Sequence, residues 1–265
     1  MLKLTYTRGL YQTEPVHPSW MARQFPSLTF YTRFLRIICQ ASALSKQGRY
    51  DNTAWCASSL GILRALERVG VRVEISGIEH LEHLNGPCVI IGNHMSMLET
   101  VILPIIVQPI RDVTFVVKQD LLTYPVFKHI MRSRHPVAVT RANPREDFKA
   151  VMTGGTERLN RGISMIVFPQ TTRTATFDPD QFNSIGVKLA QRANVPIVPL
   201  SLKTDAWGNG TWLKDFGKID VSKKVYFKFG APLHPQGRSA NAHRVITDFI
   251  SEHLQHWQDN EPPGL

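Results

Sequence analysis

Hydrophobic and polar positions follow two different patterns along this chain, and the change falls near residue 70. Before that point, apolar residues recur at three- and four-residue spacings in residues 25–46 and again in residues 51–70, which is typical of amphipathic helices. After it, short apolar runs such as PCVIIGN and ISMIVFP alternate with longer helical segments. The pattern predicts an N-terminal helical arm, residues 1–70, followed by an α/β domain, residues 71–265.

Within the second region we expect a central, mostly parallel sheet flanked by helices. The predicted strands lie in VRVEISG, PCVIIGN, DVTFVVK, HPVAVTR, ISMIVFP, VPIVPLSLKT and KVYFKFGAPL. Strands that alternate with helices in this way indicate such a sheet. Because sites in open α/β sheets form beyond the carboxyl ends of the strands, polar residues at those ends are the candidates for chemistry.

Four predicted strand ends carry polar or charged side chains that can converge on one cleft. They comprise Asn93 and His94, Lys118, Thr140 and Arg141, and the run from Gln170 through Thr172 to Arg173. Two arginines at the same sheet edge can hold a phosphate through paired hydrogen bonds that lysine cannot form. The alternative for each arginine is a surface residue that pairs with a nearby acid.

His94 and Glu99 admit two interpretations, which are compatible. Ser96 and Glu99 fit the capping-box pattern, in which the serine bonds an amide of the first helical turn and the glutamate reaches back. Alternatively, Glu99 holds one nitrogen of the His94 ring, and the other nitrogen acts as a base on a substrate hydroxyl. Such a dyad has no protein nucleophile beside it, which suits direct activation of a substrate hydroxyl.

The net charge of the chain limits the classes of partner that it can bind. Lys and Arg number 31 against 21 Asp and Glu, a net charge of +10, which favours an anionic partner. Residues 1–72 hold ten basic and three acidic residues, so +7 of this excess lies there. A nucleic-acid module is disfavoured because no recognition-helix or aromatic-platform pattern accompanies the charge. Three cysteines, far apart and without a C-x-x-C pair, argue against a zinc site and fit a reducing compartment.

The N-terminal arm combines aromatic and basic residues in a way that suits an anionic membrane surface. Its aromatic residues include Trp20, Phe25, Phe30, Tyr31 and Phe34, and an amphipathic helix of this kind can lie in the headgroup region. The alternative is that these side chains pack on the α/β core. Since the longest oily run is short and contains Glu99 and Pro104, no transmembrane span is expected. We expect peripheral attachment at the cytoplasmic side.

Five motifs in order, NHMSMLE, KQDLLTYPVF, VAVTR, FPQTTRT and VPIVPLSL, together resemble the glycerolipid acyltransferase family. The resemblance covers roughly residues 85–235. It matches the family's N-H-x-x-x-x-D at Asn93, His94 and position 99, and its second-motif arginine at Arg141. The family's F-P-E-G-T-R-S is matched at Phe168, Pro169, Thr172 and Arg173, and its V-P-[IV]-[VI]-P at residues 195–199. Glu99 replaces the usual Asp, Gln170 the usual Glu, and Thr171 the usual Gly.

The resemblance implies an O-acyltransferase that moves a fatty acyl group from acyl-CoA or acyl-carrier protein to the hydroxyl of a lysophospholipid, with 1-acylglycerol-3-phosphate as the expected acceptor. His94 and Glu99 would be catalytic. The substrate-binding residues would be Arg141, Arg173, Thr172, Gln170 and Lys118. No metal, nucleotide cofactor or prosthetic group is implied. The alternative is a non-catalytic lipid-binding or lipid-transfer protein on the same fold, which the altered third motif favours and the His94–Glu99 pair opposes.

Overall fold

The computed structural model describes residues 2–170, 172–211, 214–234 and 239–260. Its helices are α1 (Trp20–Gln24), α2 (Pro26–Lys46), α3 (Asn52–Arg68), α4 (Glu79–Glu82), α5 (Leu98–Val107), α6 (Phe127–Ser133), α7 (Pro144–Asn160), α8 (Ile185–Ala193) and α9 (Ser239–Asp259). Its strands are β1 (Leu10–Gln12), β2 (Val73–Ser76), β3 (Val89–Gly92), β4 (Val113–Lys118), β5 (Val137–Val139), β6 (Ser164–Val167), β7 (Ile197–Lys203) and β8 (Val225–Phe229). Each strand predicted beyond residue 70 is present, so the predicted α/β fold is confirmed.

The strands of the described residues form one sheet in the order β1-β2-β8-β7-β3-β6-β4-β5. Strands β7, β3, β6, β4 and β5 are mutually parallel. The pairs β7–β8 and β1–β2 are antiparallel. The carboxyl ends of the five parallel strands therefore meet at one edge of the sheet, and β3 lies there between β7 and β6.

Two hydrophobic clusters cover the two faces of this sheet. Alternation along β3 divides its side chains, since Ile90 belongs to one cluster while Val89 and Ile91 belong to the other. Helices α2, α3, α5 and α6 cover the first face, and α7, α8 and α9 cover the second. All four β3 residues are buried, which explains why this strand reads as a continuous apolar run.

The N-terminal segment is built into this fold, and the prediction that it is wholly helical is wrong at β1. Tyr11 of β1 pairs with Ile75 of β2, and its hydroxyl donates to the buried carboxylate of Glu67 at 2.5 Å. On α2, Phe30 and Phe34 are fully buried, with ring centroids 4.9 and 5.1 Å from that of Trp207. The core-packing alternative thus accounts for part of the aromatic content of the arm.

A glycine fixes the close approach of β3 and β7 immediately before the candidate dyad. A Cβ atom on Gly92 would lie 2.9 Å from the carbonyl oxygen of Leu200, closer than side-chain carbons approach main-chain oxygen, so a larger residue would separate the strands. Gly92 therefore allows the two strand ends to lie in contact. Within the described ranges, none of the helices combines the length and the apolar character that crossing a bilayer requires.

Candidate active site

Asn93 extends the contact between β3 and β7 one residue past the end of β3. Its side-chain oxygen accepts the N–H of Leu202 at 2.8 Å, and its amide nitrogen donates to the carbonyl of the same residue at 2.8 Å. These two bonds replace main-chain bonds of a continued strand pair. They fix where the loop that carries His94 leaves the sheet.

The Glu99 side chain is fully buried at this sheet edge and accepts hydrogen bonds from several groups. Its Oε1 lies 2.9 Å from His94 Nδ1 and accepts the N–H groups of Met95 and Ser96 at 2.7 and 3.0 Å. Its Oε2 accepts the hydroxyls of Ser96 and Thr204 at 3.0 and 2.7 Å. Both carboxylate oxygens are satisfied without water, so the side chain has a single well-defined position.

These contacts decide the charge of Glu99. Burial alone would raise the pKa of its carboxyl group, but the hydrogen bond from His94, the N–H of Ser96 and the hydroxyl of Thr204 lower the pKa below its ordinary value. Glu99 is therefore an anion next to the imidazole. A negative charge at this position stabilises the ring when it is protonated.

The two interpretations of Glu99 are both present in the structure. The carboxylate accepts the N–H of Ser96, which is the back-contact of a capping box, and it also meets the His94 ring. Helix α5 begins at Leu98, with Met97 rather than Ser96 at the cap position. The Ser96 hydroxyl accepts the N–H of Leu98 at 3.1 Å. One carboxylate thus anchors the helix start and orients the ring.

The plane of the His94 ring is set by Phe168, the residue after β6. The two rings are stacked, with centroids 4.6 Å apart and an angle of 4° between their planes. Because the Glu99 carboxylate is an acceptor, Nδ1 of His94 carries the proton, and Nε2 is left as the basic nitrogen. The side chain is largely buried but lines a cavity at this edge of the sheet.

Gln170 holds the main chain of His94. Its Oε1 accepts the His94 N–H at 2.6 Å, and its Nε2 donates to the Thr174 hydroxyl at 2.7 Å. The Thr174 N–H in turn donates to the His94 carbonyl at 3.1 Å. Gln170 lines the cavity, but both ends of its amide are engaged by protein groups. Its substrate contact stays a prediction, and the contact it makes here ties the loops after β3 and β6 together.

Arg141 and Arg173 line the same cavity as His94. Arg141 has left-handed backbone, with φ of 62°, and its N–H donates to the Asp147 carboxylate at 2.6 Å, which fixes this turn. Burial first, and then the charge of Arg173, lower the pKa of Arg141, so the two guanidiniums share one electrostatic environment. Arg173 donates to Asp215 at 2.5 Å, with both side chains largely buried.

The remaining predicted ligands lie around this pair. Lys118, the last residue of β4, forms an ion pair with Asp120, and both residues line the cavity. Thr172 also lines the cavity and is exposed. Thr171, the third departure from the motif, lies outside the described residues. The structure therefore brings every predicted site residue within the described segments to one edge of the sheet.

The cavity itself has a volume of about 1260 Å³ and extends to both faces of the sheet. On the first face it has a deep apolar region that we call the inner lobe. Its wall includes Ile38, Tyr50, Trp55, Ile62, Phe115 and Ile130. On the second face its wall comes from α7 and α8. The His94 ring lies where these regions meet the cluster of charged residues.

Sequence reasoning missed three residues that hold this site together. Thr204, which follows β7, donates to Glu99, and Phe168 stacks on the ring. Asn209 donates to the Met95 carbonyl at 2.9 Å. The position of Thr204 at the end of the predicted strand VPIVPLSLKT was a usable signal, since polar residues at strand ends are the candidates for chemistry. No such signal marks Asn209, because it lies in an irregular segment.

The chain is similar in sequence to known acyltransferases. A family model described as Acyltransferase matches residues 72–203. A 1-acyl-sn-glycerol-3-phosphate acyltransferase of Pseudomonas aeruginosa is 29% identical over 189 residues, covering 71% of this chain and 68% of that one. A probable 1-acyl-sn-glycerol-3-phosphate acyltransferase of Mycoplasma pneumoniae is 28% identical over 202 residues, covering 72% and 74%.

The fold also has a solved counterpart. The crystal structure of the 1-acyl-sn-glycerophosphate acyltransferase PlsC from Thermotoga maritima superposes with a TM-score of 0.66 at 18% sequence identity. The match covers 92% of this chain and 99% of that one. This likeness shows the fold. The family match and the two relatives, with the motif residues gathered at one sheet edge, show that the chain belongs to the glycerolipid acyltransferase family and is an O-acyltransferase.

Proposed function

We propose that this enzyme transfers a fatty acyl group from a thioester donor, acyl-CoA or acyl-carrier protein, to the free hydroxyl of 1-acylglycerol-3-phosphate. The observation that carries the proposal is a buried His94–Glu99 pair, 2.9 Å apart, in the same cavity as two arginines. A base beside a cationic anion-binding cluster suits an acceptor with both a hydroxyl and a phosphate. The names of the relatives from Pseudomonas aeruginosa and Mycoplasma pneumoniae support the same acceptor.

In the proposed reaction, His94 Nε2 takes the proton of the acceptor hydroxyl as that oxygen attacks the thioester carbonyl carbon. The imidazolium that forms is stabilised by the Glu99 carboxylate at Nδ1. When the tetrahedral intermediate collapses, the carbon–sulfur bond breaks, and the thiolate takes the proton back from Nε2. The ester and the free thiol are the products, and His94 returns to its starting state.

The surroundings of His94 favour direct transfer over a covalent acyl-enzyme. The hydroxyl closest to the ring in sequence, that of Ser96, is fully buried and engaged by Glu99 and Thr204. It does not line the cavity. A histidine base whose nearest hydroxyl in sequence is turned away from the cavity suits the activation of a substrate hydroxyl.

Arg141 and Arg173 would hold the acceptor's phosphate, with Lys118 and Thr172 at its margin. Guanidinium groups bind phosphate through paired, charge-assisted hydrogen bonds. The ion pair with Asp215 holds the Arg173 guanidinium in position before the substrate arrives, and the main-chain bond from Arg141 to Asp147 fixes the turn that carries the Arg141 side chain. Gln170 contributes by keeping the His94 loop in register with the third-motif loop.

The exposed side of α1 and the start of α2 would bind an anionic membrane surface. Trp20, Met21, Phe25 and Leu28 are more than half exposed, and Arg23, Arg33 and Arg36 on the same helices are exposed as well. Apolar side chains bordered by arginines suit the headgroup region of an anionic bilayer. Ile38 of α2 lines the inner lobe, so docking through this helix would bring the cavity to its lipid, peripherally and from the cytoplasmic side.

Under the lipid-binding alternative, the protein binds lipid but does not catalyse acyl transfer. It draws on the altered third motif, yet Gln170 retains a hydrogen-bond acceptor for the His94 N–H, so the motif still performs a positioning role. Incubation of the protein with labelled acyl-CoA and a panel of lyso-acceptors, read by mass spectrometry, separates the two functions. Acylated product supports the enzyme, and stoichiometric binding without product supports the alternative.

Substituting the dyad should separate catalysis from helix capping. We expect His94→Ala to lower kcat by ~10²–10⁴-fold, the contribution typical of a positioned general base. Glu99→Gln should be severely impaired because the charge is lost, while Glu99→Asp should keep partial activity. Glu146→Gln, at an exposed acid of α7, serves as the matched control and should behave as wild type. Near-normal turnover of Glu99→Gln with only reduced thermal stability would show that the carboxylate is a cap.

Removing either guanidinium should weaken acceptor binding. We expect Arg141→Ala and Arg173→Ala to raise the KM for the phosphate-bearing acceptor by at least tenfold, because hydrogen bonds to charged groups contribute about 1.5–3 kcal/mol each. The KM for the thioester should change little. Arg145→Ala, an exposed residue of α7 outside the cavity wall, is the control. An unchanged acceptor KM in both cavity variants would refute the phosphate assignment.

Membrane docking is tested by changing the exposed apolar side chains alone. The triple variant Trp20→Ser, Phe25→Ser and Leu28→Ser should lower binding to vesicles containing anionic lipid at least tenfold, since each buried apolar side chain contributes about 1.5–3 kcal/mol. High salt should weaken wild-type binding. Val245→Ser, at an exposed position on α9 across the sheet, is the control. Equal vesicle binding of the triple variant and wild type in a sedimentation assay would contradict the docking role.

A further inference from the structure

One region of the cavity wall has no part in the proposed acyl transfer. It lies between α7 and α8, on the sheet face opposite the inner lobe, and we call it the α7–α8 region. Its wall is formed by Val139, Phe148, Val151, Ser184, Ile185 and Lys188. Because the inner lobe and the α7–α8 region belong to one cavity with His94 on its wall, a molecule bound across the sheet edge can reach both.

Two side chains give this region its chemical character. The Lys188 ammonium lies 5.6 Å from the centre of the Phe148 ring, an aromatic contact that holds the lysine but leaves its charge unneutralised. Over the described parts of the chain, Lys188 has no carboxylate partner. Phe148 and Lys188 are both exposed to solvent. An exposed cation held on an aromatic ring is a suitable ligand for an anionic group at the outer end of the cavity.

Further in, the wall is mixed rather than purely apolar. Val151 is fully buried and Ile185 is partly buried. The Ser184 hydroxyl makes no hydrogen bond to any residue within the described ranges. A wall with apolar surface, a hydroxyl in need of a partner and a cation at the exit suits a slender chain that carries amide groups and ends in a phosphate.

The thioester donor contains such a chain, and the acceptor does not. Acyl-CoA and acyl-carrier protein share a 4′-phosphopantetheine arm, which joins the thioester sulfur to a phosphate through two amides. The apolar wall of the inner lobe suits an alkyl chain, and the two arginines account for the acceptor's phosphate. The phosphopantetheine arm is the part of the two substrates that these regions do not accommodate. It must extend from the reacting carbonyl toward solvent.

We propose that the α7–α8 region binds the phosphopantetheine arm of the donor, with Ser184 bonding an amide and Lys188, held on Phe148, bonding the phosphate. The proposal rests on the proposed function, because it takes a thioester as the donor. It assigns donor recognition to one face of the sheet and alkyl-chain binding to the other. Lys188 is thereby a donor-specificity residue without a role in the proton transfer.

Lys188→Ala tests this assignment through the two Michaelis constants. We expect the variant to raise the KM for acyl-CoA and for acyl-carrier protein about tenfold, the loss expected for one hydrogen bond to a charged group. The KM for the lysophospholipid should not change. A thioester of N-acetylcysteamine, which lacks the phosphate, should be used equally well by wild type and variant. Lys149→Ala, an exposed lysine of α7 outside the cavity wall, is the matched control and should leave all constants unchanged.

Several outcomes would overturn the assignment. The first is that Lys188→Ala changes the KM for the acceptor and not the KM for the donor. The second is that Lys188→Ala raises the KM for the phosphate-free thioester as much as the KM for acyl-CoA. The third is that Lys149→Ala raises the donor KM as much as Lys188→Ala does. A change confined to acyl-carrier protein would indicate contact with the surface of the carrier rather than with the arm.

Calorimetric titration with free CoA makes the test independent of turnover. We expect the Kd for CoA to rise about tenfold in Lys188→Ala and to stay constant in Lys149→Ala. Equal affinities in wild type and Lys188→Ala would reject the region as the donor site. If CoA binding depends on Lys188 while wild type acylates no acceptor, the proposed acyl transfer fails and the binding site remains.

Discussion

Glu99 is ionised where water does not reach, and a charge buried in this way is unfavourable unless hydrogen bonds compensate it. Its oxygens are satisfied by groups from the loop after β3 and by Thr204 after β7, so the compensation exists only while those two strand ends lie together. The close approach at Gly92 and the double bond from Asn93 to Leu202 keep them together. The orientation of the His94 ring is a consequence of this arrangement.

The parallel part of the sheet explains why the other groups lie nearby. Strands β7, β3, β6, β4 and β5 end at one edge, and each contributes to the site at or just after its last residue. Gln170 ties two of these ends together through the His94 main chain. Since the cavity extends to both faces of the sheet, groups of the two substrates can reach the edge from either face.

Much of this was predictable because it follows from local patterns. The period of apolar residues predicted the strands and helices, and the rule for strand ends brought His94, Lys118, Arg141 and Arg173 to one site. The strand β1 was not predictable, because its three residues gain their stability from pairing with β2 and from the Tyr11–Glu67 contact. The functions of Phe168 and Thr204 also depend on tertiary neighbours. Phe30 and Phe34 looked like membrane-facing residues, but packing against Trp207 places them in the core.

The central claim is that Glu99 fixes the protonation pattern of the His94 ring, and nitrogen NMR of the histidine-labelled protein tests it most directly. At a pH where the ring is neutral, we expect Nδ1 of His94 to carry the proton, with a low-field, slowly exchanging resonance, and Nε2 to be unprotonated. The Glu99→Gln protein should lose that resonance. Observation of a neutral ring protonated at Nε2, or of rapid exchange between the two tautomers in the wild-type protein, would contradict the account.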